Sequence, residues 1–309
     1  MSALSPDVVA AIDDLELAAR LIVEGLRTGG HRSPFHGYST EFRQHRPYRA
    51  GDDLKYLDWK LFARSDRLYT RQFRETTNLS VMLVLDSSAS MAFPERGITK
   101  ARYSSIVAAA LAYLVSEQGH AVGMMTMTHG GLTYLPARGG RQHLRSVLAR
   151  MDRLTPAGSW DAPRVIARAS QLLQRRGVIV VLSDFYDAED ETRRALRRVV
   201  QRGHDVAMLQ LLSPAELSLT YTGQIELEDA ESSARQLIDG GALAAAYATS
   251  VSEFLERCRT HALRDGIDYA LMTTDTAPEQ ALRGYLLRRS RRGAAGHTRS
   301  TVPPSTTSP

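Results

Sequence analysis

Residues 81–91 read Val-Met-Leu-Val-Leu-Asp-Ser-Ser-Ala-Ser-Met. Five apolar residues run straight into an acidic, hydroxyl-rich turn. An apolar run bounded by turn residues is what a strand buried on both faces looks like. Asp86, Ser88 and Ser90 then stand just past its carboxyl end, where open α/β sheets bind their ligands. The alternation Asp-x-Ser-x-Ser offers one carboxylate and two hydroxyls, all hard oxygen donors. Mg²⁺ takes such donors in near-octahedral geometry and keeps several waters, leaving room for an outside ligand. The same pentapeptide also reads as an Asp/Ser turn that merely caps the helix behind it.

A second stretch shifts that balance. Val178-Ile-Val-Val-Leu-Ser-Asp184 is another apolar strand ending in a carboxylate. Between the two strands, the loop from Thr155 to Asp161 adds a hydroxyl at Ser159. If the strands are neighbours, Asp86, Ser88, Ser90, Ser159 and Asp184 can converge on one cation. Mg²⁺ suits them first, with Mn²⁺ and Ca²⁺ as the other hard ions such oxygens accept.

The surrounding pattern predicts the class. A helix over 99–118, apolar nearly all round from Ile106 to Val115, follows the first strand. Strands over 121–128 and 132–135 flank His129-Gly130-Gly131, a hairpin signal that makes one strand antiparallel. Helices over 141–154 and up to Gly177, then 189–202, alternate with strands at 178–183 and 205–212. Residues 224–228 alternate like a short edge strand, and a helix over 247–263, a strand over 269–273 and a helix over 278–289 close the pattern. The expectation is an α/β fold, a doubly wound mostly parallel sheet with one antiparallel edge strand.

Upstream lies a mixed segment. Apolar residues at helical spacing predict one helix over 6–28, closed by Gly29-Gly30. In residues 31–78 one helix opens at Asp52-Asp53 and buries Leu54, Leu57 and Leu61, and one strand runs from 68 to 75. His31, His36 and His45 match no usual zinc spacing and have no cysteine to help. Arginines among aromatics raise nucleic acid, but pairing of Asp52, Asp53 and Asp58 with Arg43, Arg46 and Arg64 accounts for them, so nucleic acid is not expected. From Ser290 the chain lacks apolar residues to bury and is expected to be disordered. The expected division is therefore 1–78, 79–289 and 290–309.

Composition narrows the setting. With 43% hydrophobic and 24% charged residues, the 309-residue chain is that of an ordinary globular protein. Its net charge of +5 is carried almost wholly by arginine; the lysines are Lys55, Lys60 and Lys100. Arginine favours carboxylate and phosphate, so acidic partners fit. The single cysteine, Cys258, excludes an internal disulfide and suits a reducing cytoplasm. The longest apolar run is too short to span a bilayer, and no signal pattern opens the chain. A cytoplasmic protein without a membrane span is expected.

The order strand, Asp-x-Ser-x-Ser, helix, hairpin, helix, hydroxyl loop, helix, strand, Asp resembles the von Willebrand factor A domain and its metal-ion-dependent adhesion site. More closely, the chain is identified as a member of the bacterial family called domain of unknown function 58. The residues that carry this are His45-Arg-Pro-Tyr-Arg-Ala-Gly-Asp-Asp53, Leu57-Asp-Trp-Lys60, Ala63-Arg64, Asp66-Arg-Leu-Tyr69 and Thr77-Asn78, then Gly203-His-Asp-Val206, Leu212-Ser-Pro-Ala-Glu216 and Leu227-Glu-Asp-Ala-Glu231. The resemblance implies a partner of the MoxR-type AAA+ ATPases, in a chaperone-like or metal-insertion role. Asp86, Ser88, Ser90 and Asp184 match the adhesion site position by position, and Ser159 stands where threonine is usual. Phe185 stands where glycine is common, and its bulk would narrow the site or close it to a partner's carboxylate.

Three functions follow from this. The first is a non-enzymatic module in which a metal on Asp86, Ser88 and Ser90 presents an open position to a partner's acidic side chain. The second is a structural scaffold with a vestigial site. The third is a metal-dependent hydrolase, against which stands the lack of a general base near the turn, of a Gly-x-Ser-x-Gly elbow and of a P-loop.

Overall fold

The computed structural model describes residues 5–28, 41–49, 57–74, 79–94, 97–128, 131–186, 189–218, 223–228 and 235–297. They fall into two compact units, one within residues 35–79 and one formed by residues 1–34 and 80–309.

The chain opens with α1 (Pro6–Ala10) and α2 (Leu15–Thr28), so the single helix expected there is broken. Asp14 is the reason: its carboxylate accepts the N–H groups of Glu16 and Leu17 and starts a new helix. In the smaller unit β1 (Glu41–Pro47) pairs antiparallel with β2 (Tyr69–Arg74), and α3 (Trp59–Ser65) lies between them in sequence. The sequence reading placed no strand at β1, whose residues lack alternation. α3 opens at Trp59, capped by Asp58, which accepts the N–H of Leu61 at 3.0 Å; the helix start expected at Asp52-Asp53 lies outside the described residues. Asp52, Asp53, Leu54, His31 and His36 lie outside the described residues.

From residue 80 the elements are β3 (Ser80–Leu85), α4 (Lys100–Glu117), β4 (Ala121–Thr128), β5 (Gly131–Arg138), α5 (Arg141–Asp152), α6 (Ala162–Leu172), β6 (Val178–Ser183), α7 (Glu189–Gln201), β7 (Asp205–Leu212), α8 (Pro214–Leu217), β8 (Gln224–Glu228), β9 (Arg235–Asp239), α9 (Gly240–Arg264), β10 (Asp268–Thr273) and α10 (Pro278–His297). Six strands form one sheet in the order β10-β7-β6-β3-β4-β5, parallel except for β5 at the edge. The short strand expected over 224–228 is β8, which among the described residues pairs with β9 in a separate two-stranded sheet. The chain winds outward from β3 through β4 to β5, then returns to the other flank of β3 and continues through β6 and β7 to β10. This is the doubly wound, von Willebrand A-like arrangement, and its winding reverses between β3 and β6. In such sheets the crevice at the reversal is the binding edge.

Helices cover both faces. Met82 and Val84 of β3 and Ile179 and Val181 of β6 pack with Val165, Ile166 and Ala169 of α6, Leu196 and Val199 of α7, and Cys258 and Ala262 of α9. α4 contacts β3 and β4 on one side and α2, α5 and α10 on others. That enclosure explains why Ile106 to Ala112 are apolar and buried without a polar stripe. α10 runs to His297, past Ser290 where the tail was expected to begin. Among the described residues no helix is long and apolar enough to cross a membrane.

Candidate functional site

β3 and β6 are adjacent and parallel, with Leu85 opposite Leu182. The Asp86 N–H extends their ladder by donating to the Leu182 carbonyl at 3.0 Å. Asp86 and Asp184 therefore leave the sheet side by side at the reversal. Both are buried, because each follows a strand enclosed between helix layers.

The turn then fixes each oxygen. Asp86 Oδ1 accepts the Ser88 N–H at 2.8 Å, and Oδ2 accepts the Ser183 hydroxyl at 2.5 Å. The Ser88 and Ser90 hydroxyl oxygens are 3.0 Å apart, and Ser90 donates to Asp184 Oδ2 at 2.9 Å. Asp86, Ser88, Ser90 and Asp184 thus form one hydrogen-bonded cluster. Ser87 faces the other way: its hydroxyl donates to the Met127 carbonyl and receives Thr126 Oγ1, tying the turn to β4. The loop carrying Ser159 is tied by backbone, Ala89 N–H to Gly158 O at 2.8 Å and Ala157 N–H to Ser87 O at 2.9 Å. Ser159 itself is exposed beside the cluster and, among the described residues, makes no side-chain hydrogen bond with it.

Two charged residues escaped the sequence reading. Lys100, wholly buried, donates from Nζ to Asp184 Oδ2 at 2.7 Å and to Glu216 Oε1 at 2.5 Å. Glu216 belongs to a capping box on α8, where its Oε2 accepts the Ser213 N–H at 2.7 Å. Signals for both were present. A lysine at the first turn of a helix opposes the macrodipole and needs compensation, and Ser213-Pro-Ala-Glu216 spells the box.

Electrostatics then decide what the site lacks. Burial would lower the Lys100 ammonium, but Asp184 and Glu216 outweigh it and hold it above its ordinary value. Burial raises Glu216 despite Lys100. Asp86 is pushed up to about 7, first by burial and then by the Asp184 charge, against the hydrogen bonds from Ser183 and Ser88. Two carboxylates, Asp184 and Glu216, share one ammonium, and among the described residues no cation pairs with Asp86. The donor set therefore fits a hard cation beside Asp86, Ser88 and Ser90. Among the described residues no three His, Cys, Asp or Glu side chains gather to hold a metal, here or elsewhere, so the donors of this site are one carboxylate and hydroxyls.

Phe185 corrects one expectation. Its φ is +60°, a conformation glycine adopts without strain. That turn carries the ring into the core beside Trp160 and Leu196, where it is 4% exposed. Its bulk fills the layer beneath the sheet and does not obstruct the site.

Comparison with known proteins places the chain. The family model described as "Protein of unknown function DUF58" matches residues 44–255. The uncharacterized proteins Rv1480 of Mycobacterium tuberculosis and Mb1516 of Mycobacterium bovis are 32% identical over 230 residues, covering 74% of this chain and 72% of each relative. Among solved structures, BatB from Bacteroides thetaiotaomicron is similar at 14% identity and a TM-score of 0.47, covering 69% of this chain and 99% of that one. The SpRpn10 VWA domain is similar at 13% identity and a TM-score of 0.41, covering 67% and 94%.

Proposed function

The chain belongs to the family of proteins of unknown function DUF58, and from that premise we propose a non-enzymatic protein-binding module that captures an acidic side chain of its partner. The observation that carries this is the charge balance at the winding reversal: Asp86 is buried beside Asp184, and the Lys100 ammonium there is already committed to Asp184 and Glu216. Asp86, Ser88 and Ser90 would hold Mg²⁺ directly and Asp184 through its water shell, with Ser159 on the adjoining loop. A bound Mg²⁺ supplies positive charge and an open coordination position for a carboxylate. Asp184 orients the Ser90 hydroxyl, Ser183 and Ser88 orient Asp86, and Ser87 keeps the turn seated on β4. As partner we propose a MoxR-type AAA+ ATPase, in a chaperone-like or metal-insertion role, on the strength of the family resemblance.

A non-catalytic role is supported by the chemistry of the cluster. Lys100 is charged, enclosed and committed to Asp184 and Glu216, so it is not poised to take a proton from substrate. One observation favours the scaffold reading instead: Lys100 already neutralises part of the cluster from within. Surface-immobilised protein, challenged with a purified MoxR-type ATPase in Mg²⁺ and then in chelator, separates the two. Binding that needs Mg²⁺ and is lost in Asp86→Asn supports capture through the site. Binding indifferent to both leaves a scaffold.

A further inference from the structure

Tyr186 stands two residues beyond Asp184. Its backbone N–H donates to Asp184 Oδ1 at 3.3 Å, and its ring centroid is 5.5 Å from the Lys100 ammonium. The ring stacks on Phe254 of α9, with centroids 5.3 Å apart and planes at 22°. These contacts hold the side chain in place, yet the residue is 40% exposed. Directly after the Ser88–Met91 turn, Ala92 is exposed and Phe93 and Pro94 are half-buried. The hard-oxygen cluster therefore has apolar surface at its margin.

A large aromatic ring, fixed in advance and left partly open, is the kind of group that anchors interfaces. It offers wide contact area and has little rotamer freedom left to lose on binding. A partner that brought only a carboxylate would leave this surface unused. We infer that the site recognises an acidic side chain flanked by aliphatic or aromatic residues, with Tyr186 as the platform for the flanking apolar group. This rests on the Asp86 cluster as a site of carboxylate capture: charge complementarity selects the acid, and the aromatic margin selects its neighbour.

Three blocked pentapeptides test it by amide chemical-shift titration of the isotope-labelled full chain: Gly-Leu-Glu-Leu-Gly, Gly-Gly-Glu-Gly-Gly and Gly-Leu-Gln-Leu-Gly. With Mg²⁺ the leucine-flanked acid should bind about tenfold more tightly than the glycine-flanked one, the effect of burying one aliphatic side chain. The glutamine peptide should bind far more weakly than its acidic counterpart. Tyr186→Ala should bring the two acidic peptides to equal affinity while Mg²⁺-dependent binding persists, and Asp86→Asn should abolish binding of both. Equal affinity of the two acidic peptides for the wild-type protein overturns this inference and leaves carboxylate capture standing; that comparison needs no variant to fold. Equal binding of the glutamine and glutamate peptides also overturns it, since the margin would then act without the charge. Failure of all three to bind in Mg²⁺ overturns capture itself, and this inference with it.

Discussion

Replacing Lys100 by methionine removes the ammonium and keeps an unbranched apolar side chain of similar length. Packing changes little, so the effect is electrostatic. Asp184 and Glu216, with side chains 4% and 14% exposed, would lose the buried cation that both contact. Removing one partner of a buried ion pair costs about 3–5 kcal/mol, because the remaining charge stays desolvated. At roughly 2–4 °C per kcal/mol for a domain of this size, Tm should fall by roughly 6–20 °C. The pH dependence identifies the cause. Without Lys100, Glu216, which burial already raises, is raised further in the folded state, so the folded protein binds a proton that the unfolded chain releases. Stability then falls as pH rises through the raised value, and the deficit of Lys100→Met against wild type should be small near about pH 5 and full by about pH 8. Adding Asp184→Asn and Glu216→Gln should recover part of the loss, since a neutral buried set needs no ammonium. Differential scanning calorimetry across that range gives all three readings. A Tm for Lys100→Met within about 2 °C of wild type at pH 8, with no dependence on pH, would refute the assignment of Lys100 as the resident counter-charge.

Asp86→Asn keeps the turn's shape and removes the uncompensated charge. It should leave the metal-free protein as stable or more so, and abolish the Mg²⁺-induced rise in Tm, which in wild type amounts to about 2.7 kcal/mol at a hundredfold excess over Kd. No rise in wild type at millimolar Mg²⁺ or Mn²⁺ would remove the metal reading. Metal-free wild type should also lose stability as pH rises from about 4 through about 7, since Asp86 is raised to about 7 in the fold; persistence of that slope in Asp86→Asn would place its origin elsewhere. Phe185→Gly relieves a positive φ worth about 1 kcal/mol but empties a buried ring site worth about 3–5 kcal/mol, so chemical denaturation should show a net loss of about 2–4 kcal/mol. A stabilised Phe185→Gly would mean that the ring contributes no packing.

Much of the architecture was legible in local patterns. Residues 81–85 and 178–182 are unbroken apolar runs because both faces of β3 and β6 meet helices, and no alternation survives under such enclosure. The hairpin of β4 and β5 was marked by its glycines, and α4 by an apolar middle with no polar stripe. Asp86 and Asp184 could be paired because each closes one of the two buried strands. One break went unseen where a single side chain decided it: Asp14 divides the first helix. Tertiary structure alone decided the rest. Whether β6 returns beside β3 depends on how the whole sheet winds, which no local window contains. Lys100 meets Asp184 across 84 residues and Glu216 across 116. In sequence Lys100 and Glu216 are ordinary charges at helix starts, and Asp184 an ordinary charge at a strand end. Only their convergence in one enclosed place, where water no longer screens them, turns three ordinary side chains into the charge balance of the site.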